Sequence, residues 1–371
     1  MNVSIISLAM TYNMIKSPLN FKTSKITLFG SFFSKFFSSV ILIDGNSQIE
    51  KCSFSNVLKS AILYETYNYT SSLIVSSSLS IEDSYFFKCK SSSSNGGAIY
   101  TKNRIDSLKV LRCYFLESIS GIQGGAIYAD SSEFVYDKCC SYLCRQGTSS
   151  GNCGSVIMAV NDGTKNVSFA SINACPGYNN PAFGDTIVLN QGIEHLSNVN
   201  DSYCKMSRVA GVIIRSASQA TIKYLLTYNQ NGCSSHGFSI ISSGVGDFSH
   251  INNVNSTNQI GAVYLFQSTV IVSHYILIGM GNAAASYDSG SPSYITFINS
   301  LFNMGSFVGG SPLKTLIDCS ISASSIQAPK FSLYQTGSCH DSTILPTQII
   351  IKTFIRDHYV LLYLLQFIID Y

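Results

Sequence analysis

The side chains able to do chemistry are few and far apart. His236 lies in Ser235-His236-Gly237-Phe238-Ser239-Ile240, while carboxylates come singly at Asp130, Asp137, Asp162, Asp185 and Asp201. Glycoside cleavage needs two carboxyl groups across the scissile bond. The chain has no Asp-Asp pair, no Asn-x-Asp ahead of His236 and no Arg-x-Lys behind it. A calcium-dependent lyase would need several acids converging beside an Arg or Lys base. Asp130, Asp162 and Asn190 instead follow glycines by 5, 8 and 6 residues, the place of turn residues lining one corner. Arg215 and His236 could complete a catalytic group only if carboxylates from other segments met them in one groove. Cys139, Cys140, Cys144 and Cys153 form the densest thiol group, but no Cys-x₂-Cys pair or histidine makes a zinc pattern of it. Small buried thiols or one local disulfide fit better. No catalytic, cofactor-binding or metal-binding role is assigned to any residue.

The elements that would have to position such groups are easier to read. Gly96-Gly97-Ala98-Ile99-Tyr100 returns unchanged as Gly124-Gly125-Ala126-Ile127-Tyr128. Degenerate copies begin at Gly154, Gly184, Gly211, Gly237 and Gly261, and counting from Gly97 the intervals are 28, 29, 30, 27, 26 and 24. Weaker copies start at Ser39 and Ser60. After each glycine-led strand come a turn, a second alternating segment such as Leu108/Val110, Phe134/Tyr136, Val167/Phe169 or Ile222/Tyr224, and then a cysteine, as at Cys89, Cys113, Cys144, Cys175, Cys204 and Cys233. Units this short leave no room for a crossover helix, so equivalent strands must stack in parallel, coil on coil. Ile99 is expected over Ile127 over Val156, and the glycine at a corner or where a side chain would strike the next coil.

Composition agrees. Hydrophobic residues make 46% and charged residues 12% of 371 residues, which excludes a disordered chain and points to surfaces of Ser, Thr and Asn. Lysines and arginines are scattered singly in a net charge of +3, so nucleic acid is not an expected partner. The expected architecture is all-β: a parallel β-helix of roughly nine or ten coils over residues 35–325. Residues 1–34 are read as an N-terminal segment and cap, and the aromatic run Phe29 to Phe37 as a candidate for covering the open sheet edge. Residues 326–371 are read as a C-terminal segment with a short cap helix at 353–370. The apolar run Tyr359 to Ile369 is too short to span a bilayer. Met1 to Met10 has no basic residue ahead of its apolar patch, so no clear signal peptide is read there. Asn-x-Ser/Thr sequons occur at Asn2, Asn68, Asn166, Asn200 and Asn255.

The Gly-Gly-Ala-Ile pairs resemble the repeats of polymorphic outer-membrane-type proteins. The whole pattern is similar to the pectin-lyase-like right-handed β-helix superfamily, and closest in character to the cysteine- and serine-rich β-helix proteins of some protozoa. The resemblance covers roughly residues 35 to 325. The Phe-x-x-Asn companion motif of the bacterial members does not occur, nor does a stretch long enough for a translocating barrel. His236-Gly237 is similar to the His-Gly segment of polygalacturonase-type glycosidases, without that family's partner motifs. The resemblance implies a right-handed coil and a non-enzymatic, secreted or surface-displayed scaffold, monomeric, whose partners are glycans or host surface proteins. A polysaccharide lyase or glycosidase is the alternative it carries.

Overall fold

The computed structural model describes residues 2–11, 19–22, 25–65, 77–147, 154–175, 185–205, 209–233, 238–244, 246–254, 257–258, 262–278, 285–287, 293–302 and 313–321. Every regular element among them is a strand, and every strand pairing is parallel. The expected helix at 353–370, together with His236, Gly184, Gly237, Gly261, Cys153, Asn68 and Asn255, lies outside the described residues.

The fold is a parallel β-solenoid with three faces, and each face is a ladder of stacked strands. On the first, glycine-led face, Ile41, Ile62, Ile99, Ile127, Ile157, Ile187, Val212, Phe238 and Val263 pair in succession, all buried. The second face runs from Asn2–Ile6 through Lys25–Phe29, Ser47–Glu50 and Ser78–Glu82 to Leu313–Ile317. The third runs from Ala9–Thr11 through Phe32–Phe36 and Ser53–Val57 to Ser320–Ile321. Midway the chain hardly pauses between faces: Asp185–Ser202 and Val209–Tyr228 each pass through all three.

Two expectations are corrected here. Ile127 pairs with Ile157, not Val156, because aligning on the glycine miscounts a coil whose register shifts between Gly154 and Ile157. The aromatic run Phe29 to Phe37 is not an end cap. Its strands are paired on both sides, and the Phe33 ring stacks on Phe54 at 5.2 Å.

The double glycine has two separate jobs. Gly96 and Gly124 take φ of +60° and +63°, where a side chain is strained. A Cβ on Gly97 would lie 2.1 Å from the carbonyl oxygen of Gly125 in the next coil. The motif thus combines a left-handed bend with a close backbone approach.

Corners elsewhere are built without glycine. Between the second and third faces, successive coils place Lys51, Asp83, Arg112, Lys138, Phe169, Asn198, Tyr224, His250, His274, Asn299 and Asp318 in the left-handed region, with φ from 47° to 59°. One such residue reverses the in–out alternation, so the next side chain points inward, and it is often Ser or Cys. That hydroxyl or thiol accepts the N–H of its counterpart in the preceding coil. Cys52 N–H donates to Ser84 Oγ at 3.1 Å, Cys113 N–H to Cys139 Sγ at 3.2 Å and Tyr275 N–H to Ser300 Oγ at 3.1 Å. It also donates to a carbonyl two residues back, as Ser84 does to Glu82 at 2.7 Å. A corner N–H that cannot join a ladder is thereby satisfied. The other two corners repeat the device, with Cys144 N–H to Cys175 Sγ and Cys175 N–H to Cys204 Sγ at one, and Ser243 N–H to Ser268 Oγ at the other. Of the cysteines read as stacked thiols, Cys89, Cys113, Cys144, Cys175 and Cys204 are such corner residues, as is Cys52, whose thiol is pushed up to about 12 by burial.

Candidate functional site

The outward side of the second face, over the coils from Val209–Tyr228 to Thr269–Ile278, gathers the most varied exposed chemistry. Register sets its columns. His195, Thr221, Asp247, Ile271 and Thr296 follow one another up the stack, and Ser197, Lys223, Ser249, Ser273 and Ile298 form the next column along the strands. Strand alternation turns these outward while Ile222, Phe248 and Val272 fill the core.

A groove of about 490 Å³ opens on this side, lined by Ser218, Gln219, Ala220, Thr221, Gly246, Asp247 and Ile271. Its floor includes Ala220 and Gly246, paired in register, whose side-chain positions face the core: a Cβ on Gly246 would meet the buried Phe248 ring at 2.3 Å. Its walls carry a hydroxyl pair, an amide, a carboxylate and one aliphatic side chain. The left-handed corner closes the surface with a row of rings: Tyr224 lies 4.7 Å from His250, and His250 lies 4.7 Å from His274 with the planes 5° apart. The Nδ1 atom of His250 is enclosed without a hydrogen-bond partner, and burial together with His274 lowers its pKa.

The residues singled out from the sequence are scattered over the molecule. Asp185 is buried and pairs with Arg215 of the next coil at 3.3 Å. Asp201 is buried in the coil interior. Asp137 accepts a hydrogen bond from Ser168, its in-register partner on the next coil, at 2.6 Å, and Asp130 accepts one from Asn161. Both acids lie within the strand Ile127–Asp137, where Asp130 was expected in a turn. The Asp162 carbonyl accepts from Arg104 at 3.0 Å. Among the described residues no three His, Cys, Asp or Glu side chains come together so as to hold a metal ion. Cys140 is disulfide-bonded, while Cys139 and Cys144 are free thiols in two different corner stacks. Of the sequons, Asn200 is buried and Asn166 is partly exposed on the second face.

Two features escaped the sequence. Phe169 and Tyr224 were read as inward members of an alternating pair, yet both are corner residues, 40% and 39% exposed. The signal was an apolar residue, Ala170 or Leu225, breaking the alternation directly after each. The second is a polar stretch of core. Lys165 and Glu194, on adjacent coils, both point inward and are fully buried. The Lys165 ammonium donates to the carbonyls of Asn161, at 2.6 Å, and Gln191. Both Glu194 carboxyl oxygens lack a hydrogen bond, and burial holds its pKa well above the usual carboxylate range despite Lys165. Alternation with the buried Val167 and Leu196 points both inward, but their charge reads as a surface one.

No family model matches the chain, and no curated protein matches it in sequence.

Proposed function

We propose that this solenoid is a non-enzymatic scaffold of the pectin-lyase-like, Gly-Gly-Ala-Ile-repeat kind, secreted or displayed at a cell surface as a monomer, and that it binds glycans or host surface proteins. The observation that carries the reading is the groove over Thr221, Asp247 and Ile271. Hydroxyl, amide and carboxylate groups beside one aliphatic side chain match a sugar ring, which offers hydroxyls at its rim and C–H groups on its face. A rigid ladder holds these groups at a fixed rung spacing of about 4.8 Å, so an extended polymer lying along the stack meets one preorganised side chain at each coil. The disulfide at Cys140 supports an oxidising compartment, and among the described free thiols all but the half-buried Cys319 are protected there by burial.

A glycan array read with wild-type protein and with Asp247→Ala and Thr221→Arg variants tests the binding. Loss of signal in both variants, with unchanged circular dichroism, is the expected result. No glycan or host-surface binding by wild type would end the reading. Surface biotinylation of intact cells tests display, and a wholly cytosolic pool would contradict it. Release of reducing or unsaturated ends from polysaccharide would instead establish the enzyme alternative.

A further inference from the structure

The ring row at the corner of the second and third faces has its own chemistry. Tyr224, His250 and His274 occupy one corner position in three successive coils, with centroids 4.7 Å apart at each step. Beside them on the same strands run Lys223, Ser249 and Ser273. Every one of these six side chains can donate a hydrogen bond, and at low pH three of them carry positive charge. The corner residues below and above the row are Asn198 and Asn299, both uncharged. On the third-face side the residues in register are Leu226, the buried Asn252 and Ile276, also uncharged. Along the second face the nearest acid in register is Asp247, two residues from Ser249 on the groove side.

Parallel ring planes 5° apart direct the two imidazoles' in-plane lone pairs side by side. One metal ion cannot take both at ordinary Zn–N distances of about 2.0–2.1 Å without breaking the stack. Protonation has a different effect. It puts like charges on neighbouring rungs, and the enclosed Nδ1 of His250 has no acceptor for the new N–H. A negative group at the ring edges offsets the repulsion, so proton uptake and anion binding must favour each other by linkage. We infer that Tyr224, His250 and His274, with Lys223, Ser249 and Ser273 alongside, form a site for an oxyanion, either a sulfate or a carboxylate group, occupied as the histidines take up protons. The site does not depend on the glycan reading, because a free anion fills it equally well.

The probe is sodium sulfate, with histidine NMR resonances of the whole chain followed through a pH titration. Sulfate is expected to raise the apparent pKa values of His250 and His274 and to bind about tenfold tighter near pH 5.5 than near pH 7.5. His274→Asn, a residue type that tolerates the left-handed corner, is expected to weaken that pH dependence, and the His250→Asn/His274→Asn double variant to abolish it. Asp247→Asn, which removes the nearby negative charge, is expected to strengthen binding. Carboxymethyl-dextran and unmodified dextran separate the sources: binding of the first alone indicates a polymer-borne anion, and binding of sulfate alone indicates a free one. Sulfate affinity that is flat with pH, or that survives a His250→Asn/His274→Asn double variant with an unchanged melting temperature, overturns the assignment.

Discussion

The third face changes character along one column of inward side chains. In the early coils the column is Phe33, Phe54, Phe86 and Phe115, four rings stacked at 5.2, 5.0 and 4.9 Å. Further on, the same column holds Asp201, Thr227 and Asn253, all buried. The neighbouring faces follow suit, since the buried Lys165 and Glu194 belong to coils just before or within this stretch. The backbone hardly registers the change: ladders and Ser/Cys corners continue through both regions. Coil geometry therefore rests on main-chain pairing and corner bonds, while the interior sets how much stability each region adds.

That difference can be broken from either side. Phe86→Ala is expected to have the largest effect, a loss of about 3–5 kcal/mol in urea unfolding, because it removes a ring stacked on both faces. Lys165→Met is expected to cost about 1–3 kcal/mol, because the Asn161 and Gln191 carbonyls lose their donor and the buried Glu194 carboxyl loses the nearby positive charge. The double variant Lys165→Met/Glu194→Leu removes the isolated carboxyl as well and should recover part of that loss. If the double variant were as unstable as the single one, the Glu194 carboxyl would not contribute.

A subtler contrast lies in pH. Burial pushes the Asp201 carboxyl up to about 7, against the opposing influence of Cys204, Gln230 and Thr186. The unfolded chain loses this proton near 3.8, so between those values the folded state holds more protons. This contribution is complete at low pH and is lost as pH rises through the folded value, with a slope of up to about 1.4 kcal/mol per unit. Thermal melts of Asp201→Asn should lack that slope, whereas Phe-column variants should keep it. Smallest is the corner effect. Cys139→Ala strips the acceptor from Cys113 N–H and should cost about 1–2 kcal/mol, with Cys139→Ser restoring most of it.

Much of this architecture was legible because burial repeats. Ile99 over Ile127, the stacked thiols and the absence of crossover helices all follow from a short period with inward apolar residues. The corners were not legible, because a left-handed residue flanked by a hydrogen-bonded neighbour can be Lys, Asp, Arg, Phe, Tyr or His. No composition marks such a set, and the ring row was therefore missed. Interior Lys165 and Glu194 escaped for the opposite reason: the alternation pointed inward, but their charge argued for solvent. The groove joins residues from three coils, and only the register brings them together.

The corner bond also bears on how such a chain can change in length over time. Each Ser or Cys serves the counterpart one turn earlier, so deleting or duplicating an entire turn leaves every corner with a partner. A one-residue insertion inside a strand instead rotates the hydroxyl to the outside and strands a buried N–H. Whole turns are thus the unit in which the gene can gain or lose sequence without penalty. Gly96 through Tyr100 and Gly124 through Tyr128, identical in sequence and stacked in register, are one such interchangeable pair of segments.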